Sequence, residues 1–207
     1  MNNILNYTGQ LRLYSLLDLA LLLYVAGARG SIFVGGLFLW IAFLVYLETR
    51  HAHEYRASLP SWLWLALGVF GLVLYGRPEG LLFVLAGYFY AKKNQRHFAL
   101  VSPLFRGLQN FFLVAGLVGY QNPLVWIVLV LIIIRNVIGD FRDIEKDSRE
   151  GMRTWPMLIH WHTNLPYAHL IFMLLTTFVW WSYSSLNFYW LISIWVVQLA
   201  TYNLTPR

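Results

Sequence analysis

Long apolar runs follow one another along this chain with short polar connections between them, and runs of that kind restrict a fold more than any single motif. About 17–25 consecutive apolar residues cross a bilayer as a helix, and shorter runs cross when packed inside a bundle. Eight segments qualify, approximately Leu11–Ala28, Ser31–Leu47, Ser61–Tyr75, Gly80–Tyr90, Pro103–Tyr120, Pro123–Ile138, Leu165–Ser184 and Asn187–Tyr202. Charged residues make up 12% of the chain, against about 25% in soluble domains. That is too little charge to cover the surface of a water-soluble fold. The expectation is an all-α, polytopic transmembrane bundle. It forms one domain over residues 1–207, because no Gly/Ser- or Pro-rich linker divides it.

Basic residues are distributed unevenly between the connections. Arg50 and Arg56 lie between the second and third segments, Lys92, Lys93 and Arg96 between the fourth and fifth, and Arg142, Lys146, Arg149 and Arg153 between the sixth and seventh. The opposite connections hold only Arg29, Arg77 and two uncharged turns. The positive-inside rule then places the polar loops and both termini on the cytoplasmic side. The net charge of +6 is read as basic loops facing the cytoplasm and anionic lipid, not as a nucleic-acid surface. The absence of cysteine excludes disulfides and thiolate catalysis. The N-terminal stretch MNNILNYTGQLRLY lacks the pattern of a cleaved leader, and none is expected. Asp18, inside the first segment, either lines a cavity mouth or is hydrogen-bonded to a neighbouring helix.

One stretch breaks the apolar pattern. Residues 138–156, IGDFRDIEKDSREGMRTWP, concentrate acids and bases directly after the sixth segment. Asp140, Asp143 and Asp147 stand at i, i+3 and i+7, which on a helix continuing from that segment puts three carboxylates on one face. Aligned carboxylates repel and raise one another's pKa unless a cation compensates them. A hard divalent ion such as Mg²⁺ does so, taking oxygen ligands and bridging to phosphates. The interleaved Arg142, Lys146, Arg149 and Arg153 suit phosphate oxygens. The competing reading is a solvated helix end laced by its own salt bridges.

The stretch resembles the second aspartate-rich motif of the UbiA-type intramembrane prenyltransferases, with Asp140, Asp143, Asp147, Gly151, Arg153, Thr154 and Pro156 all in place. The basic loop YAKKNQRHF before the fifth segment fits as well. The resemblance implies a helical bundle around a central cavity, with a cytoplasmic mouth that holds Mg²⁺ and a prenyl diphosphate. It also implies transfer of the polyprenyl group to a hydrophobic acceptor within the membrane, with the three aspartates as catalytic metal ligands and Lys92, Lys93, Arg96, Arg142, Lys146, Arg149 and Arg153 on the diphosphate.

The family's first motif belongs in the loop after the second segment, where this chain reads YLETRHAHEYRASLPS and no frame restores it. Either Glu48 and Glu54, with His51 or His53, form an altered metal site, or that site is lost. Two Mg²⁺ ions are expected in the first case and one in the second. Eight segments are counted where the family usually has nine. These departures support the alternative, a membrane subunit that no longer transfers prenyl groups and holds a lipid, quinone or pigment beside a protein partner. A transporter is disfavoured, for the chain lacks the Gly/Pro-broken helices such sites use.

Overall fold

The computed structural model describes residues 11–50, 59–95, 98–149 and 151–204. It is all-helical, with no strand among these residues. In chain order the helices are α1 (Leu13–Val25), α2 (Gly30–Arg50), α3 (Leu63–Tyr75), α4 (Glu79–Tyr90), α5 (Ser102–Val118), α6 (Pro123–Arg142), α7 (Ile144–Arg149), α8 (Trp155–Leu158), α9 (Ala168–Ser182) and α10 (Phe188–Tyr202), with a 3₁₀ turn at Ala91–Asn94 after α4. Each apolar segment of the sequence is thus a helix. Two stretches, Gly30–Glu48 and Pro123–Arg142, are long and apolar enough to cross a membrane.

The chain forms two compact units, Met1–Gly80 with Thr176–Arg207, and Leu81–Leu175. In the first unit α2 and α3 meet backbone to backbone. A Cβ built on Gly35 falls 2.3 Å from the Tyr75 nitrogen, and one on Gly71 falls 2.8 Å from the Leu39 nitrogen. Small residues at such a crossing let apolar helices gain dispersion contacts that bulkier ones forbid. Phe38 packs edge-on against Phe70 at 4.9 Å beside this crossing.

A buried polar chain ties α1, α9 and α10 together in the same unit. Gln198 Nε2 donates to the Tyr14 carbonyl at 3.2 Å and to Thr177 Oγ1 at 2.8 Å, and Thr177 Oγ1 donates to Asp18 Oδ1 at 2.9 Å. Asp18 is therefore hydrogen-bonded to a neighbouring helix, the second of the two readings its sequence left open.

In the second unit α5 and α6 pack as closely. A Cβ on Gly107 would sit 2.5 Å from Ile133 Cγ1 and 3.0 Å from the Leu129 carbonyl oxygen. Helix α6 starts where the sequence says it should. Asn122 caps it by accepting from the Leu124 N–H at 3.0 Å, and Pro123 takes the first turn, where no amide donor is needed.

Apolar side chains remain exposed in stripes at helical spacing. Leu65, Val69 and Val73 form one on α3, Trp126, Val130 and Ile134 one on α6, and Ile171, Leu175 and Phe178 one on α9. Contiguous exposed apolar faces of this kind mark contact with lipid or protein.

Candidate functional site

The polar stretch after α6 is built by three local events. Helix α6 ends at Arg142, and Asp143 leaves helical geometry at φ −105°, ψ 17°. The chain then resumes as α7, with Asp147 N–H donating to the Asp143 carbonyl at 2.8 Å. Gly151 closes α7 in the left-handed region at φ 67°. Its N–H reaches the Ser148 carbonyl and that of Met152 the Asp147 carbonyl, the paired bonds of a Schellman cap. The motif glycine is required there because a Cβ is strained at such a φ.

The break at Asp143 separates the three carboxylates. Asp140 and Asp147 are buried, 4% and 2% exposed, so the picture of a solvated helix end does not describe them. Both turn to one cation. Lys93 Nζ, carried on the 3₁₀ turn, donates to Asp140 Oδ1 at 2.7 Å and to Asp147 Oδ2 at 3.3 Å. Asp143 pairs with its neighbour Arg142, whose Nε and Nη2 donate to its two carboxylate oxygens at 2.7 and 2.5 Å. The sequence spacing anticipated one shared face. A single non-helical residue gives two acids on one lysine and a third on an arginine.

Electrostatics follow from this pairing. Burial opposes the Lys93 charge, yet Asp140, Asp147 and Tyr90 outweigh it and hold its pKa above the ordinary lysine value. For Asp143, burial is overcome by the hydrogen bonds and charge of Arg142, with Lys93 and Lys146 assisting, and its pKa is lowered. Asp147 goes the other way. Burial, with Asp140 and Asp143 nearby, outweighs Lys93 and pushes it up to about 6. One ammonium does not offset two buried carboxylates.

This shift carries a stability prediction. Because the folded pKa of Asp147 lies above the ordinary carboxylate value, the stability it confers is full below that value and is lost as pH rises through about 6. Between pH 5 and 7.5 the loss is about 1.4 kcal/mol from this group. The unfolding temperature of the detergent-solubilised protein is expected to be higher at pH 5, and Asp147→Asn to shrink the difference. An unchanged pH dependence in the variant would refute the assignment.

The remaining residues divide clearly. Lys92 lies over the Tyr88 ring at 4.6 Å, while it is Lys93 that holds the carboxylates. Arg149 donates to the Glu145 carbonyl at 3.3 Å and, like Arg153, is exposed. Lys146 is half-buried and acts electrostatically on Asp143. Glu48 belongs to the first compact unit, where it pairs with Arg12 at 3.7 Å. Glu54, Arg96, His51 and His53 lie outside the described residues.

Two residues that the sequence reading passed over adjoin the site or its helix. His169 Nδ1 lies 3.5 Å from Arg142 Nη1, and its ring rests on α6 where Gly139 leaves room. Arg135 is buried within α6. The signal for Arg135 was present, since a charge inside an apolar run is a functional candidate in a membrane protein. Nothing local singles out His169, which reaches the site only through the fold.

The site fits a divalent ion in part. Among the described residues no three acids or histidines lie together as a ready-made metal group. Asp140 and Asp147 do converge, and Asp140 Oδ2 is buried with no hydrogen-bond partner among those residues. Mg²⁺ commonly takes one or two carboxylates and completes its shell with water and phosphate, so these two residues would hold it. Comparison with protein-family models, curated proteins and solved structures finds no match to this chain.

Proposed function

We propose that this chain is a multi-pass membrane protein of the UbiA type, with its acid cluster at the cytoplasmic mouth, that transfers a polyprenyl group from its diphosphate to a hydrophobic acceptor. One observation carries the reading: a buried, under-compensated pair of carboxylates, Asp140 at the end of a helix long and apolar enough to cross a membrane and Asp147 on the next, bears an oxygen, Asp140 Oδ2, with no hydrogen-bond partner among the described residues. A structural ion pair has no need of a second carboxylate on the same lysine. The exposed apolar stripes of α3, α6 and α9 support the membrane placement.

A Mg²⁺ ion held by Asp140 and Asp147 would offset charge on the diphosphate as it departs. The chain's own residues do the rest. Lys93, on the acid pair, and Arg142 and Lys146, beside Asp143, would donate to phosphate oxygens. The bond between prenyl C1 and the bridging oxygen breaks with its electron pair on diphosphate. The acceptor's nucleophilic atom bonds to C1 and releases its proton. Tyr90 acts electrostatically on Lys93, and the stacked rings of Phe89, Phe98 and Phe105 neighbour Lys92, aromatic groups of the kind that would shield a transient allylic cation.

The test is binding of geranylgeranyl diphosphate to the purified protein. We expect at least tenfold tighter binding with Mg²⁺ than with chelator. A second reading, the non-catalytic subunit, is favoured by the Lys93 ammonium itself, which sits between the two carboxylates where a shared ion belongs. Failure to bind under any divalent ion selects that reading and overturns the first.

A further inference from the structure

Lys93 has been assigned to the diphosphate, yet its ammonium lies on the acids. Nζ is 2.7 Å from Asp140 and 3.3 Å from Asp147, and its side chain is 19% exposed. A flexible stem on a 3₁₀ turn therefore delivers a point charge into a buried carboxylate pair. A second observation is independent of that contact: Asp140 Oδ2 remains buried with no hydrogen-bond partner among the described residues. The pair thus has ligand capacity that Lys93 leaves unused.

From these facts we infer that Lys93 is a displaceable counter-cation, which occupies the Asp140–Asp147 pair at rest and passes to phosphate oxygens when a diphosphate arrives, freeing the pair for a divalent ion. The inference rests on the diphosphate reading above and adds its order of events. A tethered ammonium competes with free metal at a high effective concentration, so the resting pair takes up divalent ion poorly. An arriving diphosphate offers Lys93 a second anion within reach of its stem and offers the metal further oxygen ligands. Metal and diphosphate then bind cooperatively, and each tightens the other by the same factor.

The arrangement has a chemical consequence. An exposed metal-carboxylate centre at a membrane surface would bind divalent ions or free anions without substrate. A lysine that yields only to diphosphate restricts metal binding by the pair to the substrate-loaded site. Arginine at the same position keeps the charge, while methionine or glutamine keeps much of the length and removes it.

The experiment is equilibrium dialysis of Mn²⁺ against the detergent-solubilised full chain, at fixed free-ion concentration, with and without inorganic pyrophosphate. For the native protein we expect pyrophosphate to tighten Mn²⁺ binding at least tenfold. Lys93→Met and Lys93→Gln should each bind Mn²⁺ at least tenfold more tightly than the native protein without pyrophosphate. Pyrophosphate should then tighten binding by a factor at least threefold smaller than in the native protein, the remainder coming from its own oxygens on the metal. Lys93→Arg should keep the native pattern.

The outcomes separate the inference from the reading beneath it. Native protein that binds Mn²⁺ equally well with and without pyrophosphate overturns the exchange. So do neutral variants no tighter than native, and in that case a native response to pyrophosphate leaves the diphosphate site standing. Variants that bind Mn²⁺ alone, beside a native protein that never does, make Lys93 a permanent occupant and overturn the exchange in favour of the non-catalytic subunit. Absence of Mn²⁺ binding in every protein and condition removes both the inference and the site.

Discussion

Asp147→Asn is expected to lower Mg²⁺-dependent binding of geranylgeranyl diphosphate at least a hundredfold, while Asp143→Asn lowers it less than tenfold. The difference comes from the partners. Asp147 is buried and shares Lys93 with Asp140, whereas Asp143 is held in a fork by the adjacent Arg142. Losing one of the two carboxylates that would hold the ion costs about 3 kcal/mol of binding or more, and every 1.4 kcal/mol or so is tenfold in affinity. The variant leaves its own control. Asparagine removes a carboxylate that burial and its acidic neighbours hold against ionisation, so folding stability at neutral pH should hold or rise even as binding fails. Paired measurements of binding and thermal unfolding distinguish this from general damage. Equal losses in the Asp143 and Asp147 variants would mean that Asp143 leaves Arg142 to join the pair, and the division of roles between the two aspartates would be wrong.

That division shows where sequence stops. Each apolar segment read from the chain is a helix, because hydrophobic run length and the Asn122-Pro123 start are local signals. The acid spacing was legible for the same reason. What spacing does not carry is the single non-helical residue at Asp143, which sends one carboxylate to Arg142 and leaves two for Lys93. Lys93 is 47 residues from Asp140 along the chain, so only tertiary folding reveals that a lysine expected on phosphate rests on carboxylates. The motif glycine at Gly151 was visible as a letter, and its reason, a left-handed cap that ends α7, required the backbone. Asp18 left two readings in the sequence, and the choice between them lay in Thr177, 159 residues away.

The close contact of α2 with α3 sets the largest effect expected on stability. A Cβ at Gly35 would stand 2.3 Å from the Tyr75 nitrogen and 2.8 Å from Tyr75 Cα and the Leu74 carbonyl carbon. All three are backbone atoms, so no rotamer change relieves the clash and the two helices have to part. Parting them loosens Tyr75, which is fully buried, and lifts Leu39 from its place beside Gly71. Overpacking of a tight core costs about 1–3 kcal/mol where side chains can yield, and more where they cannot. Gly35→Ala is therefore expected to destabilise by at least about 3 kcal/mol, read as a large fall in unfolding temperature in detergent or a loss of monodisperse protein. Gly68→Ala on α3 is the control. Among the described residues its Cβ would meet only Ala42 Cβ, at 3.8 Å, an ordinary contact. The gain in helix propensity, up to about 1 kcal/mol, should leave that variant as stable as the native chain or more so. If Gly35→Ala behaved like Gly68→Ala, the two helices would not be in backbone contact, and the packing of the first unit would have to be redrawn.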